Sequence, residues 1–250
     1  MIPRAILLIS LAGTLALSSV QAQVQVTLYQ DTSNYSYGES GEFNAAPNNS
    51  LLALNPTLAG YQSGVTSGLT SFGSANFQTF CLETSEFFSP GNAYNVAVSD
   101  KIMYNAGQFL PNGEPLTLGT AWLYSEFAAG TLSGYNYTQG GGRIATAGNL
   151  QQAIWYLQGE VGSLVNGGAD GTYFYNTAQT ALSALSENIS DPANGAYGVV
   201  ALNLTDGSNN DQDQLMIVPA PEPGVLSLGL LALLSMGGYK VRALFSKQTA

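Results

Sequence analysis

Cys81 is the only cysteine among 250 residues and stands in Phe80-Cys81-Leu82-Glu83. Seventy positions later, Gln151 opens the segment Gln151-Gln152-Ala153-Ile154-Trp155. If the fold holds a thiol against a glutamine carboxamide in near-attack geometry, the two condense: a sulfur–carbon bond forms, ammonia leaves, and an internal thioester results. Its acyl group sits on a good leaving group and is open to amines, hydroxyls and water, so its lifetime depends on keeping water out. Phe80, Phe87, Phe88 and Trp155 lie close in sequence to the two reacting groups and are the expected apolar shield. This chemistry requires no cofactor and no metal.

Other nucleophilic devices are excluded by composition. The chain has no histidine, which removes Ser-His-Asp and Cys-His arrangements and His-ligated metals. Proton handling then falls to a carboxylate, a tyrosine or water. Glu83, two residues beyond Cys81 and on the same face of a strand, is the candidate; its bland alternative is an edge carboxylate that is solvated or paired with Lys101 or Arg143. The bland alternative for Cys81 is an inert buried thiol. Against that, an unpaired cysteine in an exported chain marks a reactive or intermolecular thiol. For Gln151 and Trp155 the alternative is an amphipathic helix with one polar first-turn residue and one core aromatic.

The Cys81 and Gln151 segments resemble those of the bacterial surface thioester domains of adhesins, where an aromatic-Cys-aliphatic-acid segment is paired with a later Thr-Gln-x-Ala-aliphatic-Trp segment. Leu150 stands where that family usually has threonine. Ala121-Trp122-Leu123-Tyr124 is similar to the family's first helix, and Thr177 to Leu182 lies where a later Ala/Leu-rich helix falls, so the likeness spans roughly residues 77–186. It implies a Cys81–Gln151 thioester and a single-use acyl donor rather than a turnover enzyme. The partner it implies is an amine-bearing surface or matrix ligand: a lysine, a polyamine or a matrix component.

The ends of the chain speak to location. Arg4, the apolar run from Ala5 to Leu17 and Val20-Gln21-Ala22 have the order of a secretory signal over residues 1–22. At the other end, Pro221-Glu222-Pro223, an apolar run from Gly224 to Tyr239, and Lys240 with Arg242 look like the PEP-CTERM sorting signal over residues 219–250. That resemblance implies processing by an exosortase-type membrane enzyme, transient membrane association through the C-terminal helix, and a Gram-negative cell surface, outer membrane or extracellular matrix. A plain single-pass anchor with its basic end in the cytoplasm is the alternative. Either reading leaves residues 23–218 as one extracytoplasmic domain, with two basic residues, Lys101 and Arg143, against fifteen acidic ones. A nucleic-acid partner is excluded by that balance.

The elements that must position the pair follow from periodicity. Strands are expected at Val24–Tyr29, Asn76–Phe80, Tyr94–Val98, Tyr197–Leu204 and Gln214–Val218. Asp31–Ser50 reads as loop. Helices are expected around Ala121–Phe127, from Leu150 to Leu157 with Asn149 as N-cap, and from Tyr173 to about Asn188 with Tyr175, Ala178, Leu182 and Leu185 as one stripe. Gly140–Gly142 and Gly167–Gly171 read as flexible connectors. The order of strands, helices and strands predicts an α+β fold, an antiparallel or barrel-like sheet with a helical block at one side. Two further readings stand beside the thioester: a non-covalent structural or adhesive exopolysaccharide-matrix protein with an inert Cys81, and a hydrolase whose paired carboxylates the spacing does not single out.

Overall fold

The computed structural model describes residues 23–31, 35–54, 76–105, 108–207 and 210–218. Both proposed export segments, residues 1–22 and 219–250, lie outside the described residues. Among the described residues no helix is long and apolar enough to cross a membrane.

Six strands form one antiparallel sheet: β1 (Gln25–Tyr29), β2 (Phe43–Pro47), β3 (Phe77–Thr79), β4 (Ala93–Ser99), β9 (Val199–Thr205) and β10 (Asn210–Ile217), in the spatial order β10-β9-β4-β1-β2-β3. The two edges of this sheet nearly meet. The Leu82 N–H donates to the Asp213 carbonyl at 3.0 Å, the Leu215 N–H to the Phe80 carbonyl at 3.2 Å, and the Thr79 hydroxyl to the Leu215 carbonyl at 2.7 Å. Cys81 pairs with Gln214 as an isolated bridge in this seam. Closing the edges satisfies backbone groups that an open sheet would leave as a template for another chain.

The expected strands are all present within a few residues. The segment read as loop contains β2, whose Phe43-Asn44-Ala45 pair with β3; two consecutive alanines and a proline hide its alternation. Two hairpins complete the strands, β5 (Lys101–Asn105) with β6 (Gln108–Pro115), and β7 (Val165–Asn166) with β8 (Ala169–Asp170). The second turns on Gly167 and Gly168 at φ 58 and 92, a left-handed backbone that glycine adopts without strain.

Four helices are described. Helix α1 (Asn49–Leu54) is short; α2 (Leu118–Ala129), α3 (Gly141–Leu157) and α4 (Thr172–Ala184) form the helical block. Thr117 caps α2 by accepting from the Thr120 N–H, and Gly130 ends it in the left-handed region at φ 76. Helix α3 begins eight residues ahead of Asn149. The glycines at 141 and 142 are therefore its first turn and not a connector, and Gln151 lies in its interior. Asn149 instead accepts from the Asp170 N–H at 2.8 Å. In α4 the stripe is Phe174, Ala178 and Leu182, while Leu185 is left exposed.

Two apolar clusters follow from the two faces of the sheet. Val199, Ala201, Leu215 and Ile217 face the helices together with Phe80, Phe127, Leu150, Ile154 and Phe174. Val200, Leu202, Leu204 and Met216 face the opposite way, against Val26, Leu28, Phe77 and Tyr94. The continuous apolar run of β9 thus has a period of two, with both faces buried.

Candidate functional site

Cys81 follows β3 at the point where the sheet closes, and its position is fixed from both sides. Upstream, the Tyr124 hydroxyl of α2 donates to the Gln78 carbonyl at 2.8 Å, and the Phe80 ring meets Phe127 edge-on at 4.9 Å. Downstream, the backbone pairs with β10. The sequence-derived pair comes together: Gln151 Oε1 accepts the Cys81 N–H at 3.0 Å, and Gln151 Nε2 donates to the Cys81 carbonyl at 2.8 Å. Both residues are fully buried.

A second backbone N–H, that of Gly41, reaches the same Gln151 oxygen at 3.2 Å. Two N–H donors therefore converge on the oxygen of the carboxamide. Such a pair favours negative charge developing there, as occurs when a nucleophile adds to the carbonyl carbon. Gly41 is held by its neighbour. Glu42 makes a buried, bidentate ion pair with Arg143 of α3, Nε to Oε2 at 2.9 Å and Nη2 to Oε1, and accepts the Tyr135 hydroxyl. Arg143, Ala147 and Gln151 stand at i, i+4 and i+8 on one face of α3. The residues 41–42 thus dock on that face at two points, one a charge pair and the other the Gln151 carboxamide.

The thiol itself turns to β10. Cys81 Sγ donates to Gln212 Oε1 at 2.8 Å, and Gln214 Nε2 donates to Sγ at 3.5 Å. A β-bulge between Asp211 and Gln214 makes both glutamines available to one sulfur. Burial pushes the Cys81 thiol well up from its ordinary range and the Glu83 carboxyl adds to this, opposed by the hydrogen bond from Gln214. The sulfur is a neutral thiol at neutral pH.

Glu83 is buried and pairs with neither basic residue. Its Oε2 accepts the Asp213 N–H at 2.8 Å, and Lys101 bonds instead to the Asn112 carbonyl. Desolvation, then the neighbouring Asp213 and Glu86, hold Glu83 well above the carboxylate range; Asp213 is raised too, chiefly by burial. Glu83 Oε1 and Asp213 Oδ2 are buried without another partner. Burial therefore favours the protonated form of both carboxyls. The pair is closed to solvent, and among the described residues no group of three or more Cys, Asp or Glu is arranged to hold a metal.

The aromatic residues separate by position. Trp155, half-buried, donates its indole N–H to the Glu83 carbonyl at 3.2 Å, two residues beyond Cys81. Phe80 is core. Phe88 packs edge-on against Phe43 at 4.7 Å, whereas Phe87 is 65 % exposed at the rim of a surface cavity.

Gly41, Gln212, Asp213 and Gln214 were not legible as site residues. A signal existed for the last three, since Gln212-Asp213-Gln214 are polar residues inside a strand that must be buried to close the sheet. Gly41 had none. Compared with known protein families, with curated proteins and with solved structures, the chain matches none of them.

Proposed function

We propose that this is an exported surface protein that carries an internal thioester between Cys81 and Gln151 and uses it once, to acylate an amine on a partner. The observation that carries this reading is the convergence of the Cys81 and Gly41 N–H groups on Gln151 Oε1, one of the two donors being the backbone of the cysteine itself. The carboxamide is held on the backbone of Cys81, and the reaction requires rotation about the Cys81 Cα–Cβ bond to carry Sγ from Gln212 to Gln151 Cδ.

In the forming step Sγ bonds to Cδ, the Cδ–Nε2 bond breaks, and the thiol proton leaves with nitrogen as ammonia. The two N–H donors hold the oxygen throughout; a single donor of this kind is worth about 10²–10³ in rate in other acyl transfers. Glu83, whose charge acts on the Cys81 thiol, is assigned the proton traffic together with its neighbour Asp213. Burial of the pair and the indole of Trp155 keep water from the product. In the consuming step an amine adds to Cδ, the carbon–sulfur bond breaks, and sulfur recovers a proton from the amine. The resemblance to surface thioester domains, the secretory signal and the PEP-CTERM-like tail support display outside the cell, with exosortase-type processing of residues 219–250.

Intact mass spectrometry of protein prepared without nucleophiles tests this. The expected mass is below the sequence mass by one ammonia, and Cys81→Ala abolishes the deficit. A full mass together with native alkylation of Cys81 sinks the proposal. It would favour the second reading, a non-covalent structural or adhesive matrix protein. In support of that reading, the Sγ–H of Cys81 already has a partner in Gln212.

A further inference from the structure

We propose that the surface cavity formed by Glu39, Phe43, Phe87 and Phe88 is the port through which the partner amine reaches the acyl group, with Gln212 as its inner gate. This rests on the thioester reading and adds the route and the chemistry that selects the nucleophile. The cavity has a volume of about 270 Å³, and Gln212 is part of its wall. The same Gln212 side chain accepts the Cys81 thiol through Oε1 and donates through Nε2 to the Glu83 carbonyl at 2.8 Å. Gln212 is therefore one side chain deep between the cavity and the sulfur. Once Sγ is bound to Gln151 Cδ, the hydrogen bond from the thiol to Gln212 no longer exists, which leaves the Gln212 carboxamide held at one end, by Nε2 at the Glu83 carbonyl.

The wall selects by charge and shape. Glu39 is the one charged residue lining the cavity, and Phe87 and Phe88 supply aromatic surface, with the buried Phe43 behind them. Carboxylate and aromatic faces together attract an alkylammonium group and accommodate its methylene chain. An anionic or purely polar nucleophile gains nothing there. The described domain has its two basic residues elsewhere, Arg143 against Glu42 and Lys101 against Asn112, so no fixed cation competes for Glu39 in the cavity. The exposed ring of Phe87 extends this apolar surface past the rim, beyond the reach of a small free amine. The occupant that fits is the side chain of a lysine presented on a polypeptide, whose neighbouring residues cover Phe87.

The test has two arms. In the first, Cys81→Ala protein, which carries no acyl chemistry, is titrated with a lysine-containing peptide and its norleucine counterpart while backbone amide resonances are followed. Shifts at Glu39, Phe87, Phe88 and Gln212 with the lysine peptide alone are expected. Equal shifts with both peptides, or none, overturn the port. In the second arm, adduct formation by the lysine peptide is measured relative to hydroxylamine, which is small enough to need no docking. Glu39→Gln is expected to lower that ratio about threefold, the effect of one exposed charge pair, and Phe87→Ala to lower it while hardly changing the ratio for methylamine. An unchanged ratio in both variants overturns the selection. Absence of any adduct, with hydroxylamine included, instead overturns the thioester reading, while the first arm still decides whether the cavity takes a lysine.

Discussion

The side-chain amide of Gln151 pairs with the backbone of Cys81 as a neighbouring strand would, accepting its N–H at 3.0 Å and donating to its carbonyl at 2.8 Å. Cys81 sits where β3 has ended and only one bridge joins it to β10. A glutamine from the middle of α3 thus fills a gap in the seam of the sheet. The same contact completes the backbone hydrogen bonding of Cys81 and fixes the Gln151 carboxamide on that residue; under the proposed function it would also hold the acyl carbon.

Gly41 is the most sensitive position for this arrangement. A Cβ there would stand 2.5 Å from Gln151 Oε1 and closer still to the Phe80 ring. Gly41→Ala is expected to destabilise the fold by about 1–3 kcal/mol through overpacking and to lower the fraction of protein showing the ammonia deficit. Denaturant titration and intact mass on the same sample check both. An undiminished deficit would show that the Gly41 N–H does not align the carboxamide.

Arg143 and Glu42 position Gly41, and the pair is fully buried. Arg143→Met strands the Glu42 carboxylate and should cost about 3–5 kcal/mol, whereas Glu42→Gln combined with Arg143→Met removes both charges and should recover much of that loss. Chemical denaturation of the single and double variants gives the coupling. Equal losses in both would mean that the charge pair is not the source of the effect.

Stability should fall as pH rises. Glu83 and Asp213 are both raised well above the carboxylate range, mainly by burial, so the folded protein retains protons that the unfolded chain has released. Their contribution is fully present below the unfolded values near pH 4 and is lost as pH climbs through the folded values. Unfolding free energy measured from about pH 4 to pH 8 should decline, and Glu83→Gln should flatten the decline. A parent profile that rises over this range would contradict the retention of protons by Glu83 and Asp213.

Trp155 contributes one hydrogen bond and a shield. Trp155→Phe removes the indole N–H donated to Glu83 but keeps an aromatic ring, and Trp155→Ala removes both. The thioester should hydrolyse faster in the alanine variant than in the phenylalanine variant, followed as the regain of mass with time. Equal lifetimes in the parent and both variants would leave the shielding to Phe80 and the buried seam.

The sequence by itself singled out Cys81 and the Gln151 segment, the strands that carry or flank them and the α+β class, because these rest on local signals: one cysteine, a helix-forming segment around Gln151, and apolar runs such as Val199–Leu204. It placed Gln151 in a first turn after Asn149, because a capping residue ahead of an apolar run looks like a helix start; glycines at 141 and 142 hid the real one, which Arg143 secures by its long-range pair with Glu42. Only the tertiary structure decided that β3 and β10 meet at Cys81, that a bulge turns Gln212 and Gln214 onto the sulfur, and that Gly41 supplies the second donor to Gln151. Each of these joins residues more than a hundred positions apart, and the closure of the sheet, which no local propensity encodes, brings them within hydrogen-bonding distance.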